Sequence, residues 1–185
     1  MKNVEVEIQV VIKNPKKVEE RLNEVGKFIK ERKQKDKYYV TPDRNFFDKE
    51  TPNEYLRIRY EDGGNHLNYS YIDFDKKGWI KASNEYETLI DKPEIVEEIF
   101  ERIGLIQKVI VTKIRKYFKC DDFEVTLDRI ENLGDFMEVE AKKDFGGVVK
   151  TRKACLDFLE SLNVEYEMKK EAGYPRMLYK KLNKK

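Results

Sequence analysis

Two short acidic ladders, Glu5-Val6-Glu7 and Glu138-Val139-Glu140, lie near opposite ends of this 185-residue chain. Each sits where polar and apolar residues alternate, so the two carboxylates of a ladder leave a strand on the same side. Carboxylates held so close repel one another unless water, cations or a metal ion matches them. Two basic ladders with the same spacing, Arg57-Ile58-Arg59 and Lys113-Ile114-Arg115, supply the opposite sign. Carboxylate oxygens suit a hard divalent cation, and guanidinium and ammonium groups suit phosphate oxygens. The combination suggests a site for a metal and a polyphosphate.

Strands must position these ladders, and the alternation supplies them. The chain reads as strands at 4–12, 28–41, 55–61, 67–74, 80–89, 108–119, 122–130 and 134–143. Asp62-Gly63-Gly64-Asn65 between two of these segments is a hairpin signal. Asn14-Pro15 opens a helix as cap and first residue, with Val18, Leu22 and Val25 at helical spacing and Gly26 as the stop. A second helix starts at Pro93 with an apolar stripe of Ile95, Ile99 and Ile103, a third spans 147–162, and a short one begins at Tyr174-Pro175. The layout predicts one α+β domain over residues 1–185, dominated by antiparallel strands.

The strand faces carry charge of both signs at period two: Glu5/Glu7, Arg57/Arg59, Glu85/Glu87, Lys113/Arg115, Glu124/Thr126/Asp128 and Glu138/Glu140. The opposite faces carry Val6/Ile8, Leu56/Ile58, Ile114, Val125/Leu127 and Met137/Val139. Helices pack only on the apolar face, so a closed sheet with helices outside puts the charge in a barrel interior. The plain alternative is an open sheet whose charged face meets water.

Charged residues make up 40% of the chain, but 11 Tyr and 10 Phe with regular aliphatics point to a packed fold. A net charge of +2 gives no global field of the kind that coats nucleic acid. Lys180, Lys181, Lys184 and Lys185 read as a solvated basic tail. The two cysteines, Cys120 and Cys155, have neither metal-ligand spacing nor a disulfide pattern. No signal peptide and no apolar run of spanning length is present, so reduced thiols and a cytoplasmic location are expected. The single histidine, His66, lies beside the hairpin turn, which argues against chemistry built on a His base.

Taken in order, these residues resemble the CYTH superfamily, the triphosphate tunnel metalloenzymes that include class IV adenylyl cyclases and thiamine triphosphatases. The family opens with a Glu-x-Glu-x-Lys strand, matched by Glu5-Val6-Glu7-Ile8-Gln9. Leu56-Arg57-Ile58-Arg59, Glu85-Tyr86-Glu87, Lys113-Ile114-Arg115-Lys116-Tyr117 and Leu127-Asp128-Arg129-Ile130 follow in the family's order. Leu133-Gly134-Asp135-Phe136 then precedes Met137-Glu138-Val139-Glu140. The resemblance implies an eight-stranded antiparallel β-barrel, open as a tunnel, with helices packed outside and a triphosphate within. It implies Glu5, Glu7, Glu138 and Glu140, assisted by Asp128, as holders of Mg2+ or Mn2+. It implies Arg57, Arg59, Lys113 and Arg115 as phosphate-binding residues. This chain departs from the pattern at Gln9, Ser70 and Ser83, each standing where a basic residue is expected. Lys81, one strand repeat before Ser83, would compensate.

The resemblance implies an enzyme acting on a nucleotide or other organic triphosphate, ATP or thiamine triphosphate, most similar to the cyclases. A triphosphatase uses the same cradle, and the three missing cations favour a non-catalytic phosphate-ligand binder. Tyr174 and Leu178 belong to a terminal helix that closes the tunnel or simply packs on the barrel end. A monomer or homodimer is expected, with no nucleic acid and no membrane as partner.

Overall fold

The computed structural model describes residues 4–49, 52–76, 78, 80–168 and 173–183. Lys184 and Lys185 of the expected basic tail lie outside them. Among the described residues there are ten strands: β1 (Val4–Glu5), β2 (Glu7–Ile12), β3 (Lys27–Val40), β4 (Glu54–Glu61), β5 (Asn65–Phe74), β6 (Ile80–Ile90), β7 (Ile106–Cys120), β8 (Phe123–Ile130), β9 (Gly134–Ala141) and β10 (Tyr166–Met168). Four α-helices accompany them among the described residues: α1 (Pro15–Val25), α2 (Pro93–Arg102), α3 (Val148–Ser161) and α4 (Gly173–Leu182). Among the described residues, no helix is long and apolar enough to cross a membrane.

One antiparallel sheet runs β1-β6-β5-β4-β3-β7-β8-β9-β2-β10. β1 and β2 are successive pieces of one extended stretch. Val4 and Glu5 pair with β6, whereas Glu7 to Val11 pair with β9. That stretch therefore joins the two halves of the strand order and rolls the sheet into a barrel. Eight strands were expected and ten are found, because the first divides at Val6 where its partner changes and because β10 pairs beside residues 10–12 of β2.

The alternation predicted from sequence sorts the side chains. Ile8, Val10, Val125, Met137 and Val139 turn outward, where Val18 and Leu22 of α1 and Cys155 and Leu159 of α3 bury them. A second cluster covers β3, β4 and β5 with Phe100 of α2 over Tyr39 and Ile58. The third plugs one end of the barrel: Tyr174, Met177 and Leu178 of α4 join Phe46 and Phe47 against Tyr38, Tyr55, Val109 and Phe136. Burying each such side chain is worth roughly 1.5–3 kcal/mol, so the apolar faces fix which way the charged ones point.

Two local details differ from the sequence reading. Ile95, Ile99 and Ile103 form the expected stripe, but they stay exposed at 47%, 51% and 65%, and α2 docks through Pro93 and Phe100 instead. Glu97 decides this orientation. It accepts hydrogen bonds from Lys37 Nζ at 2.8 Å and the Tyr39 hydroxyl at 3.0 Å, which turns the isoleucines away from the sheet. The second difference is a bulge in β6. Asp73 faces Ala82 and Phe74 faces Ile80, leaving Lys81 as the extra residue.

Candidate functional site

The barrel encloses a cavity of about 320 Å³. Its walls include four of the five expected metal-binding residues, Glu5, Glu7, Glu138 and Glu140, and four of the five expected phosphate-binding ones, Arg57, Arg59, Lys113 and Arg115. Strand register explains the convergence. Glu7 faces Glu140 and Gln9 faces Glu138 across β2 and β9, while Glu124 and Thr126 of β8 face the same two glutamates. Lys81 is exposed and is not among the lining residues, because the bulge removes it from the alternation. Asp128 is also absent from the lining; it is 2% exposed, with both carboxylate oxygens engaged by Arg115 and with Lys113 Nζ 3.5 Å away.

The carboxylates fall into two electrostatic classes. Arg115 donates to both Asp128 and Glu138. Glu138 also accepts from Gln9 Nε2 at 2.8 Å and from the Thr126 hydroxyl at 3.3 Å. Burial opposes ionisation of Asp128, but Arg115 and Lys113 outweigh it and hold the group down at about 2. Burial likewise opposes ionisation of Glu138, and Arg115 again prevails.

Glu5, Glu7 and Glu140 have far less compensation. Glu5 still reaches solvent, yet the protein packed around it, together with Glu140 and Glu85, pushes it up to about 7. Burial and the charges of Glu138, Glu5, Glu140 and Glu85 push Glu7 well above the usual carboxylate range. Burial also raises Glu140, although Lys142 donates to it at 2.6 Å. Three oxygen-bearing acids under mutual repulsion have the donor chemistry for a hard divalent cation. Among the described residues, no three acidic side chains stand in one coordination sphere, so holding a cation requires these side chains to swing toward one another.

The cations opposite them are partly engaged. Arg59 makes a bidentate pair with Asp36 at 2.7 and 2.8 Å. Burial would raise Asp36, but Arg59 and Arg57 overcome it and hold the carboxyl far below its ordinary value. Arg57 is committed less tightly, 3.5 Å from Asp36 and 3.4 Å from the Tyr38 hydroxyl, with its Nε buried and unpartnered. Burial and the neighbouring Arg115 bring the Lys113 ammonium down to about 8. The positions without their expected cation are filled by neutral groups: Gln9 donates to Glu138, Ser83 donates to Glu85 at 2.7 Å, and Ser70 lines the wall.

Sequence reasoning did not find Asp36, although Gln34, Asp36 and Tyr38 alternate along β3 and all three are buried. It named the Lys113 and Arg115 ladder but not the pairing that ties Arg115 to Asp128 and Glu138, because those partners lie on neighbouring strands. Lys142 was also missed, one residue past the end of β9, where the alternation no longer guides the reading.

Comparison with known proteins adds three relatives and a family. A Methanocaldococcus jannaschii protein provisionally named an adenylate cyclase is 37% identical over 163 residues, covering 87% of this chain and 90% of that protein. A Pyrococcus horikoshii OT3 structure superposes with a TM-score of 0.79 at 27% identity, covering 96% of this chain and 99% of the other. A Hippeastrum protein, provisionally called an adenylyl cyclase and described as having a dominant triphosphatase activity, superposes with a TM-score of 0.66 at 16% identity, covering 96% and 95%. The family model described as the CYTH domain matches residues 1–174. The chain belongs to the CYTH domain family.

Proposed function

We propose that the barrel cavity binds an organic triphosphate together with Mg2+ or Mn2+ and promotes substitution at phosphorus. The observation that carries this reading is the division of one cavity into a wall of repelling carboxylates and a wall of buried cations. Glu5, Glu7 and Glu140 would hold the cation, and Arg57, Lys113 and Arg115 the phosphate oxygens, with Arg59 fixed by Asp36 as a second-rank contributor. A bound divalent cation would neutralise charge on the phosphates. The chain's own residues position the anion and withdraw it from water, which strengthens each charge contact.

The cyclase form fits the relative from Methanocaldococcus jannaschii. In it the 3′-hydroxyl oxygen of ATP bonds to the α-phosphorus, the bond to the pyrophosphate oxygen breaks, and the hydroxyl proton is released. No side chain is assigned as the base. A second reading, a non-catalytic binder of phosphorylated ligands, is favoured by the neutral Gln9, Ser70 and Ser83 and by the carboxylate partners already held by Arg59 and Arg115.

The test is incubation with ATP, thiamine triphosphate and inorganic triphosphate, each with Mg2+ or Mn2+, followed by product identification. Cyclic AMP with pyrophosphate supports the cyclase, and free phosphate supports a triphosphatase. Metal-dependent binding without product for any of them leaves the binder. Normal turnover by Glu5→Ala and Glu7→Ala variants would remove the metal assignment.

A further inference from the structure

Tyr174 stands at the plugged end of the cavity, 5% exposed, on the first turn of α4. Its ring is fixed edge-on against Phe136 at 5.0 Å, with the Lys113 ammonium 5.1 Å from the ring centre. Its hydroxyl is buried and makes no hydrogen bond of good geometry, although the carboxylates of Asp128 and Glu138 stand near enough to compete for its proton. Asp128 and Glu138 are close enough to keep that hydroxyl protonated, after burial itself, which is the larger cause. Their oxygens, however, are already served by Arg115, Gln9 and Thr126. A rigid donor whose neighbouring carboxylates are already engaged and poorly aligned with it leaves free energy that a well-placed incoming acceptor recovers.

We propose that the Tyr174 hydroxyl contacts ligand directly, donating a hydrogen bond to a phosphoryl oxygen of the anion held beside Lys113 and Arg115. The inference rests on reading the cavity as a triphosphate site. It assigns α4 a role beyond sealing the barrel: the helix carries one of the groups that orient the anion. A phosphoryl oxygen is the fitting acceptor because the two nearest cations, Lys113 and Arg115, attract an anion to the same end.

The experiment is calorimetric titration of Tyr174→Phe and the unaltered protein with inorganic tripolyphosphate in the presence of Mn2+, alongside thermal unfolding of both without ligand. The variant keeps the ring and its packing. Affinity is expected to fall on the order of tenfold or more, with the melting temperature held. Unchanged affinity overturns the proposal, while binding by the unaltered protein leaves the triphosphate reading standing. A loss of affinity accompanied by a clear drop in melting temperature also overturns it, because the hydroxyl then serves the neighbouring carboxylates. Absence of metal-dependent binding by the unaltered protein defeats both the reading and the inference built on it.

Discussion

Arg115 carries two buried carboxylates at once, Asp128 and Glu138. Removing it leaves Asp128 and Glu138 buried without their principal cation. Arg115→Ala is expected to destabilise the protein by about 3–5 kcal/mol in urea unfolding, whatever it does to ligand. Glu5 and Glu7 work in the opposite sense. Their pKa values are raised in the folded protein, so the fold favours their neutral forms. The associated stability is fully present below the ordinary carboxylate value of about 4.3 and is lost as pH rises toward and through about 7. Glu5→Gln should therefore raise the melting temperature at pH 8 without metal and leave it unchanged at pH 4. The same groups must lose protons to hold a cation, so Mn2+ affinity measured by calorimetry is expected to climb between pH 5.5 and pH 8.

Among the elements, the corner between α1 and β3 has almost no spare room. A Cβ added at Gly26 would lie 2.4 Å from Cys120 Sγ and 2.7 Å from the Lys119 carbonyl oxygen. The backbone there is extended, with φ at −153°, so the objection to a side chain is steric. Gly26→Ala is expected to cost on the order of 1–3 kcal/mol, visible as a lower melting temperature. Gly26 was legible in the sequence as a helix stop, although its closeness to Cys120 is a tertiary fact that no local pattern carries. The same division runs through the rest. Strands β4, β7 and β9 were readable because Ile58, Phe118 and Val139, at 0% exposure, alternate with polar or charged neighbours. The splitting of the first strand at Val6 was not readable, since it depends on which partner each half meets. The outward turn of Ile95 and Ile99 was equally hidden, because Glu97 is set by partners on β3. Lys81 was misplaced for a related reason: alternation predicts a face only until a bulge resets it.

For the whole molecule, a ligand of the proposed site would be linked to folding by mass action. The reading of the cavity predicts that Mn2+ with inorganic tripolyphosphate raises the unfolding free energy by about 2.7 kcal/mol when ligand stands a hundredfold above its dissociation constant. A melting temperature indifferent to both together would speak against a specific site. The stretch at residues 4–12 has another consequence, for the order of assembly. Its β9 partner lies about 130 positions downstream, so loop closure on that scale must come before the acidic ladders face each other. Such long-range pairing folds slowly, on the order of milliseconds to seconds. During synthesis the earliest strand must wait, partly unpaired, until the strand ending at Ala141 emerges. Partly assembled chains therefore offer no complete acidic wall, so a ligand of the proposed site would stabilise the finished barrel without guiding the chain toward it.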